Sequence, residues 1–257
     1  MRVCVLVAAI VWTHAIACAA TTLPKVLIIG DSISMRYMEP LALRVQDKAE
    51  VVHNEGNAAH TRNGVEQLEA WLGDTKWEVI HFNFGLHDIK YVDHAGGDVA
   101  SEEAGRLQVP LDDYRKNLTK IAERLKATGA KIIFATTTPF PETARRPMRS
   151  PADLQAYNEV ALEVMKAQGI EVNDLHGVAL PHLAKWQRRD NVHFIATGYN
   201  GLADAVAQAV LGALGMEYVK PAPVRKPKVI PQHPASDTVP KTAVPEHEHA
   251  VEPGGQA

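Results

Sequence analysis

The chain has 257 residues, a formal net charge of -3 and 46% hydrophobic residues, which suits one domain with its own core and extensions at the ends. So nearly balanced a charge excludes any composition-based case for nucleic acid as a partner. Both cysteines, Cys4 and Cys18, fall in the N-terminal leader, so no disulfide is expected in the rest of the chain and stability must come from packing.

Residues 1–20 read as an export signal: Arg2, the apolar run Val3 to Trp12, then small residues ending at Ala20. Thr13 and His14 cut the run short of the roughly 20 apolar residues that a bilayer span needs. A lipid anchor through Cys18 is the weaker alternative, because Ala15 stands where such signals carry a larger aliphatic residue. The expected location is therefore secreted or periplasmic, with no stable membrane insertion.

Val26-Leu27-Ile28-Ile29 predicts a buried strand that stops at the turn Gly30-Asp31-Ser32. Helical spacing follows from Met38 to Lys48, a short strand from Glu50 to His53, and a polar loop from Asn54 to Thr61. A helix is predicted over Val65 to Leu72 and a strand over Trp77 to Phe84, ending in Gly85-Leu86-His87-Asp88. The polar stretch Tyr91 to Gln108 reads as a long loop. Beyond it come a helix from Leu111 to Thr128, a strand from Lys131 to Thr137, a helix from Pro151 to Gln168 and a strand from Ile170 to Asn173. A shorter helical stretch leads to Asp190-Asn191-Val192-His193, and Thr197 to Leu214 closes the domain as an apolar helix.

Strand and helix alternate about five times, which calls for an α/β fold: a parallel five-stranded sheet in a three-layer α/β/α sandwich. The domain is expected over residues 21–218. From 219 to 257 the chain carries eight of its sixteen prolines and few large apolar residues, and reads as a disordered tail that cannot bury enough area to offset the entropy of ordering. His247 and His249 in that tail are a weak metal pair.

A serine at the carboxyl rim of such a sheet becomes a nucleophile only if a base takes its proton. The chain supplies one downstream in Asp190 to His193: a three-residue separation lets one turn aim the carboxylate at one ring nitrogen while the other faces Ser32. Gly30-Asp31-Ser32-Ile33 and the Asp-x-x-His block Asp190 to His193, in this order, resemble the SGNH hydrolases, the GDSL-like esterase/lipase superfamily. The resemblance covers about Lys25 to Gly215.

It implies a cofactor-free serine esterase with Ser32, Asp190 and His193 as catalytic triad, and an oxyanion hole built from the Ser32 N–H, a glycine N–H and an asparagine side chain. Gly56 is the simplest glycine donor, with Asn57 beside it as an alternative amide. Gly85-Leu86-His87-Asp88 carries His87 where the superfamily carries asparagine, and a neutral imidazole can donate one N–H in its place. Asp31, Asp88, Arg146 and Arg149 are assigned to substrate contact. Of the basic cluster Arg145, Arg146 and Arg149, an arginine pointing inward would favour a substrate with a carboxylate or sulfate.

A zinc reading of His81, His87, Asp88 and His94 is disfavoured, because His81 falls inside a strand and no helical His pair has metal spacing. The sequon Asn117-Leu118-Thr119 sits in a predicted helix. The expected partner is a small-molecule or polysaccharide ester, short and especially acetyl, with no nucleic acid. The rival readings are a lipase, phospholipase or thioesterase of the same superfamily, and a non-catalytic carbohydrate-binding protein on the same fold. The oligomeric state is not legible.

Overall fold

A computed structural model describes residues 22–221. The leader expected at 1–20 and the tail beyond 221, with His247 and His249, lie outside the described residues.

The central sheet is built from β1 (Lys25–Ile29), β2 (Glu50–His53) and β3 (Val79–Phe82). A separate hairpin follows as β4 (Tyr91–Val92) and β5 (Arg106–Leu107), and the sheet is completed by β6 (Lys131–Ala135) and β7 (Glu171–Asn173). The five sheet strands run parallel in the order β2-β1-β3-β6-β7. Val26 to Ile29 are all buried, because layers cover both faces of a parallel sheet, and so these strands are continuously apolar rather than alternating. Burying each such side chain contributes about 1.5–3 kcal/mol.

The helices are α1 (Ser32–Val45), α2 (Thr61–Leu72), α3 (Leu111–Lys126), α4 (Pro151–Gln168), two short ones, α5 (Leu175–Ala179) and α6 (Leu183–Trp186), and α7 (Ala196–Ala213). From β1 the chain steps one way to β2 and then doubles back past β1 to β3, β6 and β7. Right-handed crossovers therefore put α1 on the face opposite α2, α3 and α4. In accord with this, α1 packs on α7, and α3 packs on α2 and α4. The predicted three-layer α/β/α sandwich with a five-stranded parallel sheet is the observed fold.

The strand order reverses beside β1, so the loops leaving β1 and β3 diverge at the carboxyl rim and open a crevice there. Three elements differ from expectation in ways that matter for this crevice. The first long helix starts at Ser32 rather than Met38, because the Asp31 side chain caps it by accepting the Ile33 N–H at 2.9 Å. Pro40 is carried inside it without ending it. The second helix starts at Thr61 rather than Val65, since the Asp88 carboxylate accepts from both the Thr61 N–H and hydroxyl. The stretch read as a loop, Tyr91 to Gln108, contains the hairpin of β4 and β5. That hairpin is tied to the segment after β6 by Tyr91 N–H on the Met148 carbonyl and Met148 N–H on the Val99 carbonyl.

Candidate active site

At the carboxyl end of β1 both peptide groups of Gly30 are held by the loop after β2. Its N–H donates to the buried Asn54 side-chain oxygen at 2.9 Å, and its carbonyl accepts from the Ala58 N–H at 3.0 Å. A Cβ at Gly30 would stand 2.6 Å from the Ser34 hydroxyl, so a larger residue would displace the Ser34 side chain, which bonds the Asp31 carbonyl and His53 Nε2. Ser32 then occupies the first position of α1. Its own N–H has no carbonyl to bond one turn back in that helix, and it stands at the positive end of the helix dipole.

His193 comes from the loop between α6 and α7. An antiparallel bridge of Gln187 with Phe194 closes this loop, and the buried Gln187 amide donates to the carbonyls of Pro139 and Val192. The His193 Nε2 lies 2.8 Å from the Ser32 Oγ. Its Nδ1 lies 2.7 Å from Asn191 Oδ1, which also accepts the His193 backbone N–H at 2.9 Å. A backbone N–H can only donate, so the Asn191 atom facing it is the oxygen, and Nδ1 must carry the proton that this oxygen accepts. Nε2 is therefore the lone-pair nitrogen, turned to the serine hydroxyl.

The carboxylate expected to orient His193 does not do so. Asp190 is an exposed residue in the left-handed backbone region (φ 53°), and its carboxylate lies 3.4 Å from Arg189 Nε. The reason is local. Residue 191 makes an Asx turn onto residue 193, which carries the Asn191 oxygen under the ring and leaves the preceding side chain in solvent.

Ser32 and His193 face a cavity of about 190 Å³, also lined by Asp31, His87, Lys90, Asp98, Arg146, Arg149 and Asn191. Burial pushes His193 below the ordinary histidine value. The Asp31 charge pulls it back up, while Arg36, Arg188 and Arg149 push it down further. Burial also lowers His87, to about 4, with Arg149 and Lys90 adding to the effect, so its imidazole is neutral and has one N–H to offer. Burial raises Asp31, against the Ile33 N–H and the Arg149 charge. Lys90 is neutralised by Asp98 at 2.8 Å.

Of the residues assigned from sequence, Ser32, His193, His87, Asp31, Arg146 and Arg149 converge on one cavity. Gly56 and Asn57 are exposed and absent from its lining, and Asn57 spends its side-chain oxygen on the Ala59 N–H. Left-handed backbone in this loop falls on Ala59 (φ 54°) as well as Gly56 (φ 66°). Asp88 is also absent from the lining. It is fully buried against Thr61, and burial raises its pKa to about 7. Arg145 is exposed, with Nε on the Glu142 carbonyl. His81 lies inside β3, buried, and accepts from the Asn173 amide at 3.2 Å. Asn191, Asn54, Gln187 and Lys90 are the contributors that sequence reasoning missed. Only Asn191 stood within a motif already singled out.

A serine hydroxyl on a neutral imidazole, at the carboxyl rim of a doubly wound sheet, defines a hydrolase of the α/β class. The GDSL-like Lipase/Acylhydrolase family matches residues 28–200, and the chain belongs to it. This supports a hydrolase acting on esters. Among solved structures the chain resembles a lipase/acylhydrolase from Enterococcus faecalis, with 19% identity and a TM-score of 0.62 over 77% of this chain and 100% of that one. It also resembles the acetyl xylan esterase AlAXEase, at 18% identity and TM-score 0.58, over 72% and 99% of the two chains. A tryptophan-to-isoleucine variant of Axe2, an acetyl xylan esterase from Geobacillus stearothermophilus, aligns at 21% identity and TM-score 0.59, over 77% and 97%. At such identities these likenesses establish the fold. No curated protein sequence matches the chain significantly.

Proposed function

We propose that this chain is an exported serine esterase that removes short acyl groups, acetyl above all, from carbohydrate esters. The observation that carries it is the oriented pair: Ser32 Oγ 2.8 Å from His193 Nε2, with Nδ1–H held by Asn191 at 2.7 Å. As Ser32 attacks the acyl carbon, Nε2 takes the hydroxyl proton, and the imidazolium returns it to the leaving alcohol. Water, deprotonated by the same nitrogen, then releases the acyl group from Ser32. The oxyanion of each tetrahedral intermediate takes the Ser32 N–H, with the His87 imidazole as second donor; one such donor is worth about 3 kcal/mol of barrier.

A small cavity lined by charged side chains suits a short acyl group on a polar alcohol better than a long acyl chain, which needs an apolar groove. Two of the similar structures are acetyl xylan esterases, in line with that choice, and the leader read at 1–20 supports export. A fluorophosphonate probe should label the wild type and not Ser32→Ala. On nitrophenyl esters, kcat/KM should fall sharply beyond propionate, and acetylated xylan should release acetate. Failure of the wild type to label or to cleave any ester would overturn the reading.

A further inference from the structure

Arg149 is a cation placed where a cation is costly. It is 6% exposed, its Nε donates to the Leu86 carbonyl at 2.6 Å and its Nη1 to the Pro147 carbonyl at 3.4 Å. Among the described residues no carboxylate forms a salt bridge with it. Two neutral carbonyls satisfy part of its hydrogen-bonding capacity, while Asp31 and Asp98 attract it only from beyond salt-bridge distance, so the buried charge is incompletely compensated and expensive to hold. Those carbonyls come from the loops after β3 and β6, so they lock the guanidinium plane in the wall shared with Ser32 and His193. Its remaining N–H groups are left for a ligand.

The surroundings reinforce the sign. Lys90 is already paired with Asp98, but Arg146, in the same lining, is exposed and forms no salt bridge among the described residues. Arg36 and Arg188 line a second hollow together with Glu39, and neither arginine forms a salt bridge among the described residues. Counting the carboxylates of Asp31 and Asp98 against Lys90, Arg146 and Arg149 in the lining, the balance that meets an entering ligand is positive, and low-dielectric walls focus it.

We infer that Arg149 is the anion-recognition group of the alcohol side of the site, so that the preferred substrate is a short acyl ester of an alcohol that carries a carboxylate or a sulfate, as in an acidic saccharide. This rests on the esterase reading and names its substrate class. The anion belongs to the alcohol because a short acyl group has no room for one. Arg149 supplies a charge-assisted, geometrically fixed contact, and Arg146 adds field at the mouth.

The test compares three aryl acetates: 4-acetoxybenzoate, 4-acetoxybenzenesulfonate and the neutral methyl 4-acetoxybenzoate, each rate divided by its own hydroxide-catalysed rate. In the wild type, one or both anionic esters should exceed the neutral one in kcat/KM by about tenfold or more, mostly through KM. Arg149→Met should erase that preference, lowering the anionic rates at least about tenfold more than the neutral one, and Arg149→Lys should restore part of it. Preference for the benzoate alone identifies a carboxylate, and for the sulfonate alone a sulfate. Equal treatment of all three by the wild type, or an equal loss on all three in Arg149→Met, overturns the inference.

Should Arg149→Met fail to fold, the decision passes to Arg146→Ala, which should reduce the preference, and to the wild type, which benzoate should inhibit competitively and benzamide should not. If the wild type cleaves none of the esters and resists the fluorophosphonate, it is the esterase reading that fails. Titration of the wild type with benzoate and benzamide by NMR then still decides anion binding, and equal or absent binding of the two rejects it.

Discussion

Asn191 accepts two hydrogen bonds from the residue it orients and carries no charge. It sets the His193 tautomer as a carboxylate would, but adds less to the stability of the imidazolium that forms in the reaction. Asn191→Ala should lower kcat on the order of 10²-fold by releasing the ring from its attack geometry. Asn191→Asp should raise the His193 pKa and move the acid limb of kcat/KM to higher pH. Asp190→Asn, which keeps a residue tolerant of left-handed backbone, should change kcat/KM by less than about threefold. Profiles of kcat/KM against pH check all three, and a collapse in Asp190→Asn comparable to that in Asn191→Ala would return the orienting role to residue 190. In the wild type the base works only when neutral. Its pKa is held below 6.5, so activity should persist to pH values below that before falling. Ser32 and His193 were legible because their chemistry is rare in that order. The three-residue separation that favoured Asp190 failed because the turn formed at 191 to 193 is an Asx turn that puts the Asn191 oxygen against the ring.

At the level of elements, the turn after β1 is positioned by a loop that follows a different strand. Asn54, 4% exposed, bonds the Gly30 N–H and also donates to the carbonyls of Glu55 and Gly56. One side chain thus closes its own loop and anchors the nucleophile turn. Asn54→Ala would leave the Gly30 N–H without a partner, at a cost of about 1–3 kcal/mol. Urea unfolding should show that loss, and kcat should fall with it because Ser32 is no longer held against His193. A stable variant with undiminished kcat would show that the turn holds itself. The long strands and helices were legible from apolar runs and stripes. The hairpin of β4 and β5 was not, because two-residue strands carry no periodicity, and its place is set by bonds to Met148.

For the molecule as a whole, buried histidines and buried carboxylates bend the pH dependence of stability in opposite directions. His81 and His87 are both pushed by burial to about 4, so below the ordinary 6.5 the unfolded chain binds protons that the native chain refuses, and stability is lost as pH falls from 6.5 through 4. Asp88, raised from 3.8 to about 7, acts oppositely: the native state keeps a proton that the unfolded chain releases, and that contribution is lost as pH rises through 7. Below 6.5 the histidines, with His53, His60 and His193 lowered in the same sense, outnumber the carboxylates, with Asp31 and Asp153 raised in the other, so the urea midpoint should climb to near pH 6.5 and then decline gently towards about pH 7. Asp88→Asn, which keeps an oxygen for Thr61, should remove the decline; a midpoint that still fell there would assign it elsewhere. Patterns of apolar residues and a turn of small polar ones determined, by themselves, the parallel sheet and the serine at its rim, because burial on both faces and tight turns each restrict composition over a few neighbouring residues. Which nitrogen of His193 bears a proton, which neighbour holds it there, and which arginine is buried in the wall shared with Ser32 were decided only by the tertiary structure. Those outcomes depend on distances between loops that the chain brings together from opposite ends, and no local spacing encodes them.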